Sequence, residues 1–286
     1  MKYRVRHTTS YAYAEPVDLA SHMLHLTPRQ LPHQSVRSAI LDAVPEVARS
    51  SEGTDHFGNF VSWLFLDLPH AEFEVTAEAV VDVAFPPPPD AAGTPAWDAL
   101  AATARDTWPV AEFAFDSALA PARPAVAEYV RPSFPAGRPV LEGLLDLNAR
   151  IRREFAFRAG VTTIATPVEK VLAQRAGVCQ DFTHLMISGL RALGLPARYV
   201  SGYIRTRPPP GRAPRRGADQ SHAWVGAWLG PEHGWIDLDP TNDLVVQDEH
   251  VVLAWGRDYR DVSPVRGVIL GGGKHSLSVS VDLEPG

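Results

Sequence analysis

The chain of 286 residues predicts an α+β fold. Residues 1–84 alternate apolar and polar side chains with the period of two that strands require. A run of four prolines follows. After it come helical stripes, which from Ala197 onward give way to a second series of strands.

The elements justify that reading in order. Tyr3, Val5 and His7 alternate with Arg4, Arg6 and Thr8. Val61, Trp63, Phe65, Phe73 and Val75 fall in short runs between turn residues. In DHFGNF (55–60), Gly58-Asn59 supplies the positive φ of a turn. FPPPPDAAGTP (85–95) contains too many prolines for a helix or a central strand and reads as a stiff linker. The chain thus divides into a β-rich N-terminal domain (1–84), the linker (85–95) and a third region (96–286) with its core at 140–245. Thr94-Pro95 opens a helix over 95–107. Leu141, Leu144, Leu145, Ile151 and Phe155 place another across 139–157. TPVE (166–169) reads as a capping box, with Thr166 at the N-cap, Pro167 at N1 and Glu169 at N3, for a helix that stops at Gly177. The next helix starts at Cys179, and Phe182, Leu185, Met186, Leu190 and Leu193 predict burial of one face. Gly194 and Pro196 end it. The strands ARYVSGYIR, HAWVGAWL, WIDLD, HVVLAWG and SLSVSV follow. They are interrupted by TRPPPGRAPRRGAD (206–219), a surface loop by composition.

Composition excludes several classes of function. Hydrophobic residues make up 45% and charged residues 21%, an ordinary globular balance. The net charge of -6 argues against nucleic acid as a partner, because a duplex binder needs a basic face. No apolar run reaches the roughly 18 residues of a membrane span. The opening MKYRVRHTTSYAYAEP has no apolar signal region, and a single cysteine forms no internal disulfide, so a cytoplasmic protein is expected.

That cysteine, in GVCQDFTHL (177–185), carries the strongest chemical signal. Cys179 falls at a helix N-terminus, where unpaired N–H groups and the helix dipole favour an anion, hence a thiolate nucleophile. The same N–H groups suit an oxyanion. Gly177 permits close approach of the chain. A lone cysteine is equally compatible with a small buried apolar side chain. A nucleophile needs a base and the base an orienting group. DQSHAWVGAWLG (219–230) puts His222 at the mouth of an apolar strand. GPEHG (230–234) turns the chain, and GWIDLDPTN (234–242) returns antiparallel. Asp237 and Asp239 share a face. Asp239 lies nearer the end where His222 sits, and a bulge would leave Asp237 as the alternative. Gln174, Gln180 and Trp224 are candidates for oxyanion or substrate contacts. Trp224 and Trp228 share the His222 face, where they wall a cleft or pack a core. His22 and His25 have a spacing that suits a metal only on a helix, and SHMLHL reads as a strand. His184 is expected to face away from Cys179. Arg205, Arg207, Arg212, Arg215 and Arg216 read as a solvated loop, or else as a cover that attracts an acidic substrate.

GVCQDFTHLMISGLRALGLPARYVSGY, SHAWV and GWIDLDPTN, in this order, resemble the core of the transglutaminase-like superfamily. GRDYRDVSPVRGVILGGGKHSLSVSV and the region around DHFGNF resemble its bacterial branch, in which a β-rich N-terminal domain precedes that core. The resemblance implies a papain-like fold, with Cys179 as nucleophile, His222 as base and Asp239 as acid, and no cofactor. Gln180 stands where animal members carry tryptophan, Gly226 where a glutamate is common, and Gln220 where bacterial members usually have alanine. No calcium-site residues are matched. The implied chemistry is acyl transfer at an amide of a protein or peptide, through a thioester. Water as acceptor makes a peptidase or amidase, and an amine makes a transglutaminase. A catalytically silent binding module is the remaining alternative. The absence of tryptophan at position 180 favours water.

Overall fold

The structure, a computed structural model, describes residues 1–205 and 220–286. Its longest element is the strand Lys2–Leu24 (β1). The strands Gln34–Val44 (β2), Arg49–Thr54 (β3), Phe60–Leu66 (β4) and His70–Val83 (β5) follow. Helices Trp97–Ala104 (α1), Pro124–Val130 (α2) and Val140–Glu154 (α3) come next. Then come the short strand Ala156–Phe157 (β6), helix Val168–Gln174 (α4), strand Ala176–Gly177 (β7) and helix Cys179–Ala192 (α5). Strands Ala197–Ile204 (β8), Gln220–Trp228 (β9), Trp235–Asp239 (β10), Leu244–Val245 (β11) and His250–Gly256 (β12) form the second series. Helix Tyr259–Val262 (α6) and strands Val265–Gly271 (β13) and His275–Pro285 (β14) close the chain.

Two antiparallel sheets result, as α+β composition requires. The first runs β2-β5-β1-β4-β3, with β13 and β14 also paired to β1. The first half of β1 lies between β5 and β14 and its second half between β4 and β13. Residues 265–285, grouped by sequence order with the third region, therefore complete the N-terminal sheet. Pairing across so long a separation leaves no local pattern to read. The second sheet runs β11-β10-β9-β8-β12. Its outer edge is closed by side-chain amides from the N-terminal region. Gln34 donates to the Val252 carbonyl and accepts from the Val252 N–H, each at 2.8 Å. Asn59, from the turn where Gly58 has φ +71°, does the same with Trp255 at 2.8 and 2.9 Å. These amides imitate a paired strand and satisfy an otherwise open edge.

α5 is the axis of the molecule. Ala223, Val225 and Ala227 of β9 join its Phe182, Leu185, Met186 and Leu190 in the main core. The other face is not solvated, as the apolar stripe predicts, because every residue from Asp181 to Arg191 is buried. α2 packs there so closely that a Cβ on Gly189 would stand 2.3 Å from Val130 Cγ1. Arg191, 1% exposed, donates to the carbonyls of Phe113, Ala120, Ala197 and Arg257 and to the Ser117 hydroxyl.

Two local expectations are corrected. The capping box at 166–169 does not form. Thr166 Oγ1 accepts from the Thr163 N–H at 2.9 Å, Pro167 becomes the N-cap, and Glu169 pairs with Arg123 at 2.6 Å. α4 ends at Gln174 rather than at Gly177, because Arg175 takes the left-handed turn at φ 51°. Its guanidinium lies over the Tyr129 and Phe155 rings, which offsets a strain of about 1–2 kcal/mol. Ala176–Gly177 then pairs in parallel with Ala156–Phe157. Among the described residues no helix is long and apolar enough to cross a membrane. Arg207, Arg212, Arg215 and Arg216 lie outside the described residues.

Candidate active site

α5 starts where the sequence suggests, and its first turn is built by Asp181. That carboxylate accepts from the Val178 N–H and the Thr162 hydroxyl, both at 2.7 Å. Gly177 leaves room for it, since a Cβ there would lie 2.7 Å from Asp181 Oδ2. The Asp181 and Phe182 N–H groups bond back to the Val178 carbonyl. Among the described residues the Cys179 and Gln180 N–H groups are left as the orphan donors of the first turn. Cys179 itself is half-buried.

The hairpin register pairs Leu238 with Val225, so Asp239 is the strand residue nearest His222. Asp239 Oδ2 accepts from His222 Nε2 at 2.8 Å. Cys179 acts on the same imidazole, and with Nε2 taken by Asp239 the Nδ1 edge is the one left for sulfur. His222 is 6% exposed and Asp239 0%. Burial alone would lower the His222 pKa, but the hydrogen bonds and charges of Asp239 and Cys179 override it and raise the pKa to about 10. Burial likewise works against the Asp239 anion, yet hydrogen bonds from His222, His250 and Asn242 hold the carboxyl well below its usual range.

The linkage has a definite sign. His222 keeps its proton in the folded state to a pH well above the ~6.5 of an unfolded histidine. Its contribution to stability is complete below pH ~6.5 and is lost as pH rises toward 10. The melting temperature of the wild type is expected to fall relative to His222→Gln across that window. Parallel melting curves between pH 6.5 and 9.5 would contradict the assignment.

Two neighbours had escaped the sequence reading. Asn242 Nδ2 donates to Asp239 Oδ2 at 2.7 Å, and the Thr241 and Asn242 N–H groups donate to Oδ1. His250, 1% exposed at the start of β12, has Nε2 at 3.4 Å from Asp239 Oδ2. Its only signal in the sequence was a histidine opening an apolar strand. The ligand atoms of His222, Asp239 and His250 lie within 4.8 Å of one another, a spacing that admits a metal. Yet the 2.8 Å pair is a hydrogen-bond distance, shorter than the roughly 3.3 Å between ligand atoms around a tetrahedral zinc.

The other candidates separate. Gln180 lines the cleft beside Cys179. Gln174 does not, because its amide donates to the Ala176 carbonyl at 2.7 Å. Trp224 is fully buried, packs with Val200, Val246 and Val252, and donates to Asp237 at 3.0 Å, so it is core rather than cleft wall. Asp237 is thereby engaged, with Arg198 also at 3.7 Å. These two straddle Gly226, whose Cβ would collide with both. His184 accepts from the Tyr259 N–H at 3.2 Å. His22 stacks on Phe73, and His25 pairs with Asp55, so the two histidines do not converge.

Cys179 and His222 open into a cavity of about 320 Å³. One wall is the N-terminal sheet: His7, Thr9 and Tyr11 of β1 with Leu277 and Val279 of β14. His7 is fixed by Tyr203 at 2.9 Å and Thr9 at 2.8 Å, and burial lowers its pKa to about 4, so the wall is uncharged at neutral pH. His222 also borders a second cavity of about 590 Å³, edged by Arg152 and Arg205. A further cavity, about 780 Å³, lies around Arg198 and Trp255 under Pro86–Pro89 and contains none of the three residues.

A helix N-terminus carrying a thiol, packed on a sheet carrying histidine and aspartate, defines the papain-like class of cysteine-enzyme folds. The comparisons make the family specific. Residues 129–240 match the transglutaminase-like superfamily, and residues 3–82 match the bacterial transglutaminase-like N-terminal region. The chain belongs to the transglutaminase-like superfamily, in the branch that carries that N-terminal region. It is 41% identical to the uncharacterized protein Rv2569c of Mycobacterium tuberculosis, over 99% of this chain and 93% of that one. A protein-glutamine gamma-glutamyltransferase of Pseudomonas aeruginosa matches at 41% over 96 residues, 32% of this chain and 14% of the enzyme. Among solved structures, a candidate cysteine protease from Cytophaga hutchinsonii superposes with a TM-score of 0.74 at 21% identity, covering 99% of this chain and 90% of the other. At that identity the likeness shows the fold.

Proposed function

We propose that this protein is a cysteine-nucleophile enzyme that breaks an amide bond through a thioester, with water as the acceptor. The observation that carries the reading is the His222 imidazole held between Cys179 and a fully buried Asp239. The reactants are a Cys179 thiolate and a His222 imidazolium that already holds the thiol proton, and in the forward step the sulfur bonds to the carbonyl carbon. The oxyanion sits at the Cys179 and Gln180 N–H groups. Collapse breaks the C–N bond, and His222 passes the proton to the departing amine. Water then gives a proton to His222 as its oxygen attacks the thioester. The thioester C–S bond breaks, the acid leaves, and the thiolate–imidazolium pair is restored. Asp239 keeps the imidazole in the tautomer that faces sulfur.

The cleft favours an uncharged acyl group, such as a glutamine side chain or a peptide carbonyl. A charged one would lose its hydration against a wall of hydroxyl, aliphatic and neutral imidazole groups. The second cavity at His222 gives the acceptor its own approach. The substrate is accordingly a protein or peptide. A cytoplasmic location accords with the reading, because a reducing compartment keeps the single thiol free.

Transfer to an amine is the second reading, favoured by the 41% match to a protein-glutamine gamma-glutamyltransferase over 96 residues. Incubation with a glutamine peptide, with and without a labelled amine, separates the two. Ammonia without label in the peptide supports hydrolysis, and label in the peptide supports transfer. Neither product from a folded protein would leave the binding-module alternative standing.

A further inference from the structure

Asp239 has a second imidazole partner that the triad does not use. His250 stands across the carboxylate from His222, with ring centroids 6.1 Å apart, and is enclosed by Trp224 at 5.1 Å. Its Nε2 meets Asp239 Oδ2 at 3.4 Å, whereas its Nδ1 is buried without a partner among the described residues. The carboxylate fixes the tautomer, because only a proton on Nε2 turns that contact from lone-pair repulsion into a hydrogen bond. A buried ring nitrogen left unpaired costs free energy. An apolar side chain at this position would avoid that cost, as its neighbours Val251 and Val252 do.

We propose that His250 is a positioning residue: it donates Nε2–H to Asp239 and, with Asn242, locks the carboxylate in the orientation that serves His222. The proposal rests on the triad reading above. Without His250, Oδ2 keeps His222 and Asn242 but loses its third donor, and the carboxylate is freer to turn about its Cβ–Cγ bond. Among the described residues the titratable groups around this cluster are few. His222 and His250 act on Asp239 directly. Cys179 lies beyond His222, Asp237 is tied to Arg198 and Trp224, and Glu249 precedes His250 in the chain.

The test compares wild type, His250→Leu and His250→Gln. Glutamine places an N–H close to the imidazole Nε2 position, and leucine places none. Two readouts are taken: iodoacetamide alkylation of Cys179 against pH, and the imidazole N–H protons by NMR. With leucine the alkylation rate at pH 6–7 is expected to fall about tenfold, the size usual for a lost supporting partner. The acid limb of its profile moves to higher pH, and the His222 Nε2–H signal exchanges faster. Glutamine restores all three. Unchanged profiles and an unchanged His222 signal in a folded leucine variant would overturn the proposal. If that variant does not fold, His250→Asn replaces it, since its shorter amide does not reach Asp239. If the wild-type thiol reacts slowly at every pH, the triad reading fails, and the N–H signals still decide whether His250 holds Asp239.

Discussion

Asp239→Asn is expected to lower the rate of amide cleavage by about 10³–10⁴-fold, with little loss of helix or sheet content. The reason is the direction of one hydrogen bond. In the wild type the buried carboxylate accepts from His222 Nε2, which leaves Nδ1 facing sulfur and, on the proposed reading, holding the proton that passes to the leaving amine. An asparagine amide donates from one side. It also meets Asn242 Nδ2 and His250 Nε2, which already donate to the same position. Either the amide nitrogen takes the Oδ2 position and the imidazole turns or changes tautomer, or it takes the Oδ1 position and faces the Thr241 and Asn242 N–H donors, and in both cases the neutral side chain no longer supports the His222 imidazolium. Because the Asp239 carboxyl is held well below the ordinary carboxylate range, this residue does not titrate in the neutral region. The variant should lose rate throughout pH 6 to 9, and because Asp239 raises the His222 pKa, its alkaline limb should also move to lower pH. The check is the pH profile of ammonia release from a glutamine peptide.

The second large effect is on stability. Arg191→Met is expected to cost at least about 3 kcal/mol and to lower the denaturation midpoint in urea accordingly. Arg191 uses all five of its N–H groups, four of them on backbone carbonyls, three of which come from segments distant in sequence. Methionine fills similar volume and meets none of those acceptors. Burial depresses the guanidinium pKa to about 10, against the supporting charges of Asp258 and Asp116, so it stays charged at neutral pH. Lysine has three donors and no fork, so Arg191→Lys should recover only part of the loss. Equal midpoints for wild type and the methionine variant would contradict this account of the polar side of α5.

The burial of that side shows where local pattern stops informing. Phe182, Leu185, Met186 and Leu190 were legible as a core stripe because their spacing follows the helix. Thr183, His184, Ser188 and Arg191 read as a solvent face. They are buried because residues 113–121 and α2 fold over them, and no periodicity encodes that contact. β13 and β14 were equally hidden, since their partner β1 begins at residue 2. The candidate site was more readable. Its residues sit at element ends, where a glycine, a cysteine and a strand-opening histidine carry local chemical meaning. The choice of Asp239 over Asp237 followed from strand period and a short turn. Gln174 and Trp224 were misplaced for opposite reasons. One side chain folds back on its own backbone, and the other is drawn into the core by Asp237. His250 needed the third dimension, because β12 reaches the site only through its pairing with β8.

The central claim is that Cys179 and His222 work as a pair. The most direct measurement is the rate of iodoacetamide alkylation against pH, on wild type and His222→Ala. Fast reaction at pH 6–7 in the wild type, slowed sharply in the variant, is the predicted result. A thiol that reacts only after denaturation, or that follows an unassisted cysteine near ~8.5 in both proteins, would contradict it.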